Sequence, residues 1–148
     1  MLKRIATASI VVALVASGAA FAATRGMGMG TIVYLHSSSL GKVLSTSTGR
    51  VLYLNTGDGY KVTHCTGPCA QTWLPLKTLG KPLSGNMSVK QSLLGTLTRP
   101  NGAIQVTYNG HPLYRYSGDT KAGQTSGEGT DGAWFAVKAS GNQAATRR

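Results

Sequence analysis

Acidic side chains are scarce in this chain of 148 residues: Asp58, Asp119, Glu128 and Asp131 stand against 15 Lys and Arg, for a formal charge of +11. That scarcity excludes much. No two carboxylates lie close together in the sequence, so glycosidase-type acid/base chemistry would have to be assembled from distant residues. Histidine is also rare. His36, His64 and His111 lack metal-protease spacing, and no Gly-x-Ser-x-Gly nucleophile turn occurs. The glycine-rich run Gly123, Gly127, Glu128, Gly129 has neither the Lys nor the following helix of a phosphate loop. With no catalytic constellation, the chain reads as a non-enzymatic protein.

Long apolar runs are missing too, with one exception at the N-terminus. Lys3 and Arg4 precede an uncharged stretch from Ile5 to Ala16, and Ala20-Phe21-Ala22 supplies a small-x-small pattern. This order is that of a cleaved signal peptide over residues 1–22. The run is shorter than the roughly 20 apolar residues a membrane crossing takes. Cleavage after Ala22 would remove Lys3 and Arg4 and leave a charge of +9. The first cysteine is Cys65, so no lipid-accepting Cys follows the cleavage site. The expectation is an exported, periplasmic or extracellular protein, soluble and without a transmembrane span. So basic a surface favours salt-sensitive association with anionic envelope components: lipid headgroups, teichoic or lipopolysaccharide phosphates, or nucleic acid without sequence specificity. The competing reading is that the charge confers solubility alone.

Helical periodicity is absent from every window long enough to hold a helix, although Cys69 to Leu74 could form a single turn. What remains is short β-type stretches separated by glycine turns: Thr31 to Leu35, Lys42 to Ser45, Arg50 to Asn55, Gly95 to Arg99, Ala103 to Tyr108, Pro112 to Tyr116 and Ala133 to Lys138. Asn109-Gly110 tolerates the two positive φ values of a type I′ hairpin turn. With the turn at Pro100-Asn101-Gly102 it predicts a three-stranded meander from Gly95 to Tyr116. Pro112 lacks an N–H, which places its strand at an edge or a bulge.

The chain also repeats itself. Gly49-Arg-Val-Leu-Tyr-Leu-Asn-Thr-Gly-Asp58 aligns without gaps on Gly110-His-Pro-Leu-Tyr-Arg-Tyr-Ser-Gly-Asp119, with both glycines, the Leu, the Tyr and the Asp shared. Each copy follows a glycine turn, reads as a strand and ends in Gly-Asp. Alternation puts Tyr53 on one face with Val51 and Asn55, and Tyr114 with Pro112 and Tyr116. Asp58 and Asp119 are expected to accept backbone N–H groups and hold turns. The alternative brings the Tyr and Asp side chains together in a ligand or metal pocket.

Cysteine occurs twice, in His64-Cys65-Thr-Gly-Pro-Cys69-Ala-Gln-Thr-Trp73. In an exported protein the simplest outcome is one local Cys65–Cys69 disulfide, closing a ring short enough to contribute only about 2 kcal/mol. The competing outcome is a copper site on Cys65, Cys69 and His64, with His36, His111, Met27, Met29 or Met87 as further soft donors, or a redox or haem-related role. Structural zinc would need a second cysteine pair. Thioredoxin-type chemistry would need a two-residue spacing within a βαβ unit.

These motifs together resemble the bacterial secreted repeat family, often labelled predicted lipoproteins with a Tyr-x4-Asp motif. The two copies are Tyr53 to Asp58 and Tyr114 to Asp119. Cys65, Cys69, Ala70 and Trp73 match the cysteine segment. Arg99, Gly102, Gln105 to Tyr108, Gly110 and Pro112 to Tyr114 match the core of the second copy, and Gly123, Gly127, Gly129 and Trp134 its ending. The likeness spans about residues 40–137. The family's aromatic two residues beyond the motif Tyr is present as Tyr116 and replaced by Asn55 in the first copy. The resemblance implies motif residues Tyr53, Asp58, Tyr114, Tyr116, Asp119, Trp73 and Trp134, and no mechanism.

The reading is therefore an all-β or β-dominated domain over residues 31–138, made of two related meander repeats at about 40–60 and 94–120 with at most short helical turns. A flexible leader over 23–30 precedes it, and a disordered basic tail over 139–148 follows. Leu44, Val51, Leu52, Leu97, Ile104, Val106, Leu113, Trp134 and Val137 are the expected core, and the two tryptophans pack on or cap it.

Overall fold

A computed structural model describes residues 28–144; the predicted signal peptide lies outside them. The elements are β1 (Ile32–Ser38), β2 (Gly41–Ser45), β3 (Tyr53–Asn55), α1 (Cys69–Thr72), β4 (Trp73–Pro75), β5 (Leu83–Ser84), β6 (Leu94–Thr98), β7 (Ile104–Tyr108), β8 (His111–Pro112), β9 (Tyr114–Tyr116) and β10 (Trp134–Ala136). The fold is β-dominated, and the one α-helix among the described residues is a single turn.

Three small sheets share these strands, in the orders β2-β1-β5, β10-β3-β9-β4 and β6-β7-β8. The predicted meander forms as β6-β7-β8, with Pro112 on the edge strand β8, where its missing N–H interrupts no ladder. Its tight turn has φ of 49° at Asn109 and 78° at Gly110, the pair a type I′ turn needs. Gly110 is doubly constrained, because a Cβ there would run into the Tyr60 ring.

The predicted strand from Pro112 to Tyr116 is broken, for a physical reason. At Leu113 the chain leaves one sheet for another: its N–H bonds Val106 O (3.0 Å), and its carbonyl accepts Leu76 N (2.9 Å) and the buried Gln105 Nε2 (2.8 Å). The first repeat does the same at Leu52, whose N–H bonds Leu44 O (2.9 Å) and whose carbonyl accepts Val137 N (3.1 Å). Val51 is accordingly held by a lone bridge to Ser45, and regular pairing begins at Tyr53.

The two repeats interlock in the central sheet. The first contributes β3 and β4 to the central sheet and the second contributes β9 and β10, but β4 pairs with β9 and β10 with β3. Tyr53 faces Tyr114 at the centre, Trp134 faces Asn55, and Trp73 faces Tyr116. The same bonds recur on both sides: Leu44 N to Val137 O (2.7 Å) answers Val106 N to Leu76 O (2.8 Å), and Thr56 N to Ala133 O (2.8 Å) answers Ser117 N to Thr72 O (2.9 Å). The duplication read from the sequence is a pseudo-twofold in which each repeat completes the other's sheet.

Two apolar clusters fill the interior. One gathers Val33, Leu44, Leu52, Leu54, Val106, Tyr108, Leu113 and Val137, and the other Val43, Val51, Tyr53, Trp73, Tyr114 and Trp134. Of the expected core residues only Ile104 is half-buried instead of buried, at the start of β7. The tail expected to be disordered from 139 is ordered through 144: Tyr108 donates to Ala139 O (2.7 Å), Val137 bridges Gln143, and Ala144 N bonds Ala136 O (2.6 Å). A buried phenol in need of an acceptor and the otherwise open edge of β10 draw these residues onto the sheet. At the other end Gly28 lies against Leu79 and Gly30 against Lys81, where a Cβ on either glycine would overlap backbone, so the last residues of the expected leader pack on the domain.

Candidate functional site

The repeat motif assembles at the pseudo-twofold, with its partners exchanged. Tyr53 Oη donates to Asp119 Oδ2 (2.6 Å), and Tyr114 Oη donates to Asp58 Oδ2 (2.6 Å). Each tyrosine thus takes the carboxylate of the other repeat. The second oxygen of each carboxylate accepts a backbone N–H: His64 N on Asp58 Oδ1 (2.8 Å) and Ser126 N on Asp119 Oδ1 (2.9 Å). The turn-holding role expected of the aspartates is met further along, on the loops after each motif. Bonds from charged acceptors to O–H donors are among the strong ones in a protein. Burial, followed by the adjoining carboxylate, raises the pKa of both phenols well above the usual tyrosine range.

Around the Tyr114 pair a polar network continues inward. The single Tyr114 proton goes to Asp58, so the Thr63 hydroxyl, 2.6 Å from Tyr114 Oη, donates to it. Thr63 Oγ1 accepts Cys65 N (3.1 Å). Arg99, buried, places Nη1 on Gln105 Oε1 (2.6 Å) and Nη2 on the carbonyl of Cys65 (2.6 Å). Gln105 in turn holds the sheet switch at Leu113. Arg99 and Gln105 belong to the family pattern, which implies no role for them; a cation buried by its carbonyl and amide partners leaves no mark on hydrophobic periodicity.

Between the two tyrosines lies an aromatic column. Trp73 and Trp134, equivalent positions of the two repeats, stack face to face with centroids 3.9 Å apart and planes 2° from parallel. Tyr53 meets Trp73 edge-on at 5.4 Å, and Tyr114 meets Trp134 edge-on at 5.0 Å. Tyr116 covers the other side of Trp73 at 4.7 Å. The column is asymmetric there, because Asn55 occupies the corresponding place by Trp134 and spends its amide oxygen on Gly57 N.

Cys65 and Cys69 form the disulfide, which closes the loop entering α1. His64, its side chain largely exposed, directs Nδ1 to Gly57 O (2.9 Å) and lies 3.8 Å from Asp58. Met29 and Met87 are exposed on the surface, and Met27 lies outside the described residues. Among the described residues no three His, Cys, Asp or Glu side chains converge as metal ligands would.

The fold and this interlock define a class: a two-copy β domain whose repeats complete each other's sheet and exchange Tyr–Asp partners. The chain belongs to the family described as a secreted repeat of unknown function, which matches residues 35–77 and 95–138. The matched segments coincide with the two halves of the pseudo-twofold, and the family description agrees with an exported protein. No curated protein and no solved structure matches the chain. No helix among the described residues is long and apolar enough to cross a membrane.

Proposed function

We propose that this is an exported, non-enzymatic binding protein for anionic polymers of the cell envelope, released outside the cytoplasm after signal-peptide cleavage. The observation that carries this reading is where the few acids go. Asp58 and Asp119 turn inward onto tyrosines, and Glu128 Oε2 accepts Ala136 N (2.6 Å). His64 and Asp58 form a side-chain ion pair at 3.8 Å, with the Asp58 carboxylate buried. Lys42, Lys61, Lys77, Lys81, Lys90 and Lys121 are exposed, and with only four acids in the whole sequence their field reaches outward with little local cancellation.

One place gathers that charge into a shape. A groove of about 440 Å³ runs beside β4, with Lys77, Arg115, Thr46 and Thr48 around Leu74, and an adjoining hollow shares Arg115 and adds Arg50. Cations and hydroxyls over an apolar floor suit a phosphodiester chain carrying sugar or glycerol units. The test is binding of poly(glycerol phosphate) and of anionic vesicles at low and high salt. Binding that weakens as the Debye length shrinks, and falls in a Lys77→Glu/Arg115→Glu variant, is expected; no association with any anionic component at low salt overturns the reading. The copper alternative on Cys65, Cys69 and His64 would first require the disulfide to open. Copper titration before and after mild reduction tests it separately.

A further inference from the structure

The aromatic column offers more than packing volume, which Phe and Leu would supply as well. Five oxidisable rings are in contact, with Tyr53 at one end of the tryptophan pair and Tyr114 at the other, and each phenol already donates its proton to a carboxylate oxygen. Both oxygens of each carboxylate act as acceptors toward their partners, so each has room for the phenolic proton along an existing 2.6 Å bond. Trp73 and Trp134 are buried, while Tyr116, tilted against Trp73 at 4.7 Å, is half-exposed.

We propose that this column carries single oxidising equivalents from the surface at Tyr116, through the stacked tryptophans, to Tyr53 and Tyr114, with Asp119 and Asp58 as their proton acceptors. The reaction partner is an outer-sphere one-electron oxidant in the extracellular medium, such as an oxidised metal complex. It takes one electron from Trp73 by way of Tyr116 and is reduced. Tyr53 refills the tryptophan pair with one electron. As it does so its O–H bond breaks and a new O–H bond forms on Asp119 Oδ2. The products are the reduced oxidant, a neutral tyrosine radical and a neutral carboxylic acid, and one electron from a reductant, with return of the proton, restores the starting state. Tyr114 and Asp58 perform the same step from Trp134. Deep burial and the neighbouring carboxylate keep both phenols protonated over the physiological range, so their oxidation depends on that acceptor.

Flash oxidation with photogenerated tris(bipyridine)ruthenium(III) tests the proposal, in a Tyr34→Phe/Tyr60→Phe background that removes two phenols outside the column. The expected result is a neutral tyrosine radical, seen by electron paramagnetic resonance, that forms several-fold more slowly in D2O and whose yield drops several-fold in Trp73→Phe. A radical that forms at the same rate in D2O, or is untouched by Trp73→Phe, overturns it. Should Trp73→Phe fail to fold, Tyr116→Phe at the half-exposed end and the isotope effect on the unsubstituted column give the same decision. Neither readout depends on polymer binding.

Discussion

A tyrosine in this core does its work through one oxygen. Tyr53→Phe keeps the ring packed on Trp73 but leaves Asp119 Oδ2 buried without its donor. Loss of a hydrogen bond to a charged group costs about 2 kcal/mol, and this is the expected destabilisation in urea unfolding. Adding Asp119→Asn to Tyr53→Phe should cost less than the sum of the two single changes, the signature of direct coupling. Additive costs would show that the two side chains do not share a bond. The sequence marked Tyr53, Asp58, Tyr114 and Asp119 by their repetition but not their pairing. The aspartate five residues along is the natural partner on the page, whereas the real one is 66 residues away. Repetition identifies equivalent residues, and only the crossing of β3 and β9 decides which of two equivalent partners each one meets. Arg99 was hidden for a different reason: its guanidinium donates to a backbone carbonyl and two uncharged side-chain oxygens, none of them an acidic partner.

The exchange continues at the level of strands. β4 closes on β9 and β10 on β3, so neither repeat holds a complete central sheet. Fragments 28–90 and 91–144, made separately, are therefore expected to stay unfolded. Mixed, they are expected to recover the near-ultraviolet circular dichroism of the stacked tryptophans. A fragment that gives this signal alone would show that each repeat is self-sufficient. The hairpins were legible because local chemistry forces them, with Asn109-Gly110 the clearest case. β4 and β5 were not. β4 has three residues ending in Pro75 and β5 has two, lengths at which alternation carries no signal; long-range pairing alone makes them strands. The switches at Leu52 and Leu113 were invisible likewise, since a strand that changes sheets keeps an unbroken apolar pattern.

Across the whole molecule, charge and protonation connect the exterior to the interlocked core. The net charge of +11 was plain in the sequence, but the inward turn of Asp58 and Asp119 was not, and it is what leaves the exterior so one-sided. The same burial ties stability to alkaline pH. Tyr53, Tyr108 and Tyr114 are held protonated in the fold, in each case chiefly by burial, reinforced for Tyr53 and Tyr114 by their aspartates. In the unfolded chain tyrosines release their protons near pH 10. Above that pH the unfolded state binds fewer protons than the native state, so the free energy of unfolding falls as pH rises. Below it both states keep their phenolic protons and this contribution is fully present. Each such phenol lowers stability by about 1.4 kcal/mol per pH unit once the unfolded form has ionised. Denaturant unfolding measured between pH 8 and 11 should therefore be flat in this respect at first and then decline, with phenolate absorbance from these three residues rising only as the fold is lost. A Tyr53→Phe/Tyr114→Phe protein, though less stable at neutral pH, should show a shallower decline. An equal decline in both proteins would place the alkaline sensitivity outside the Tyr–Asp interlock.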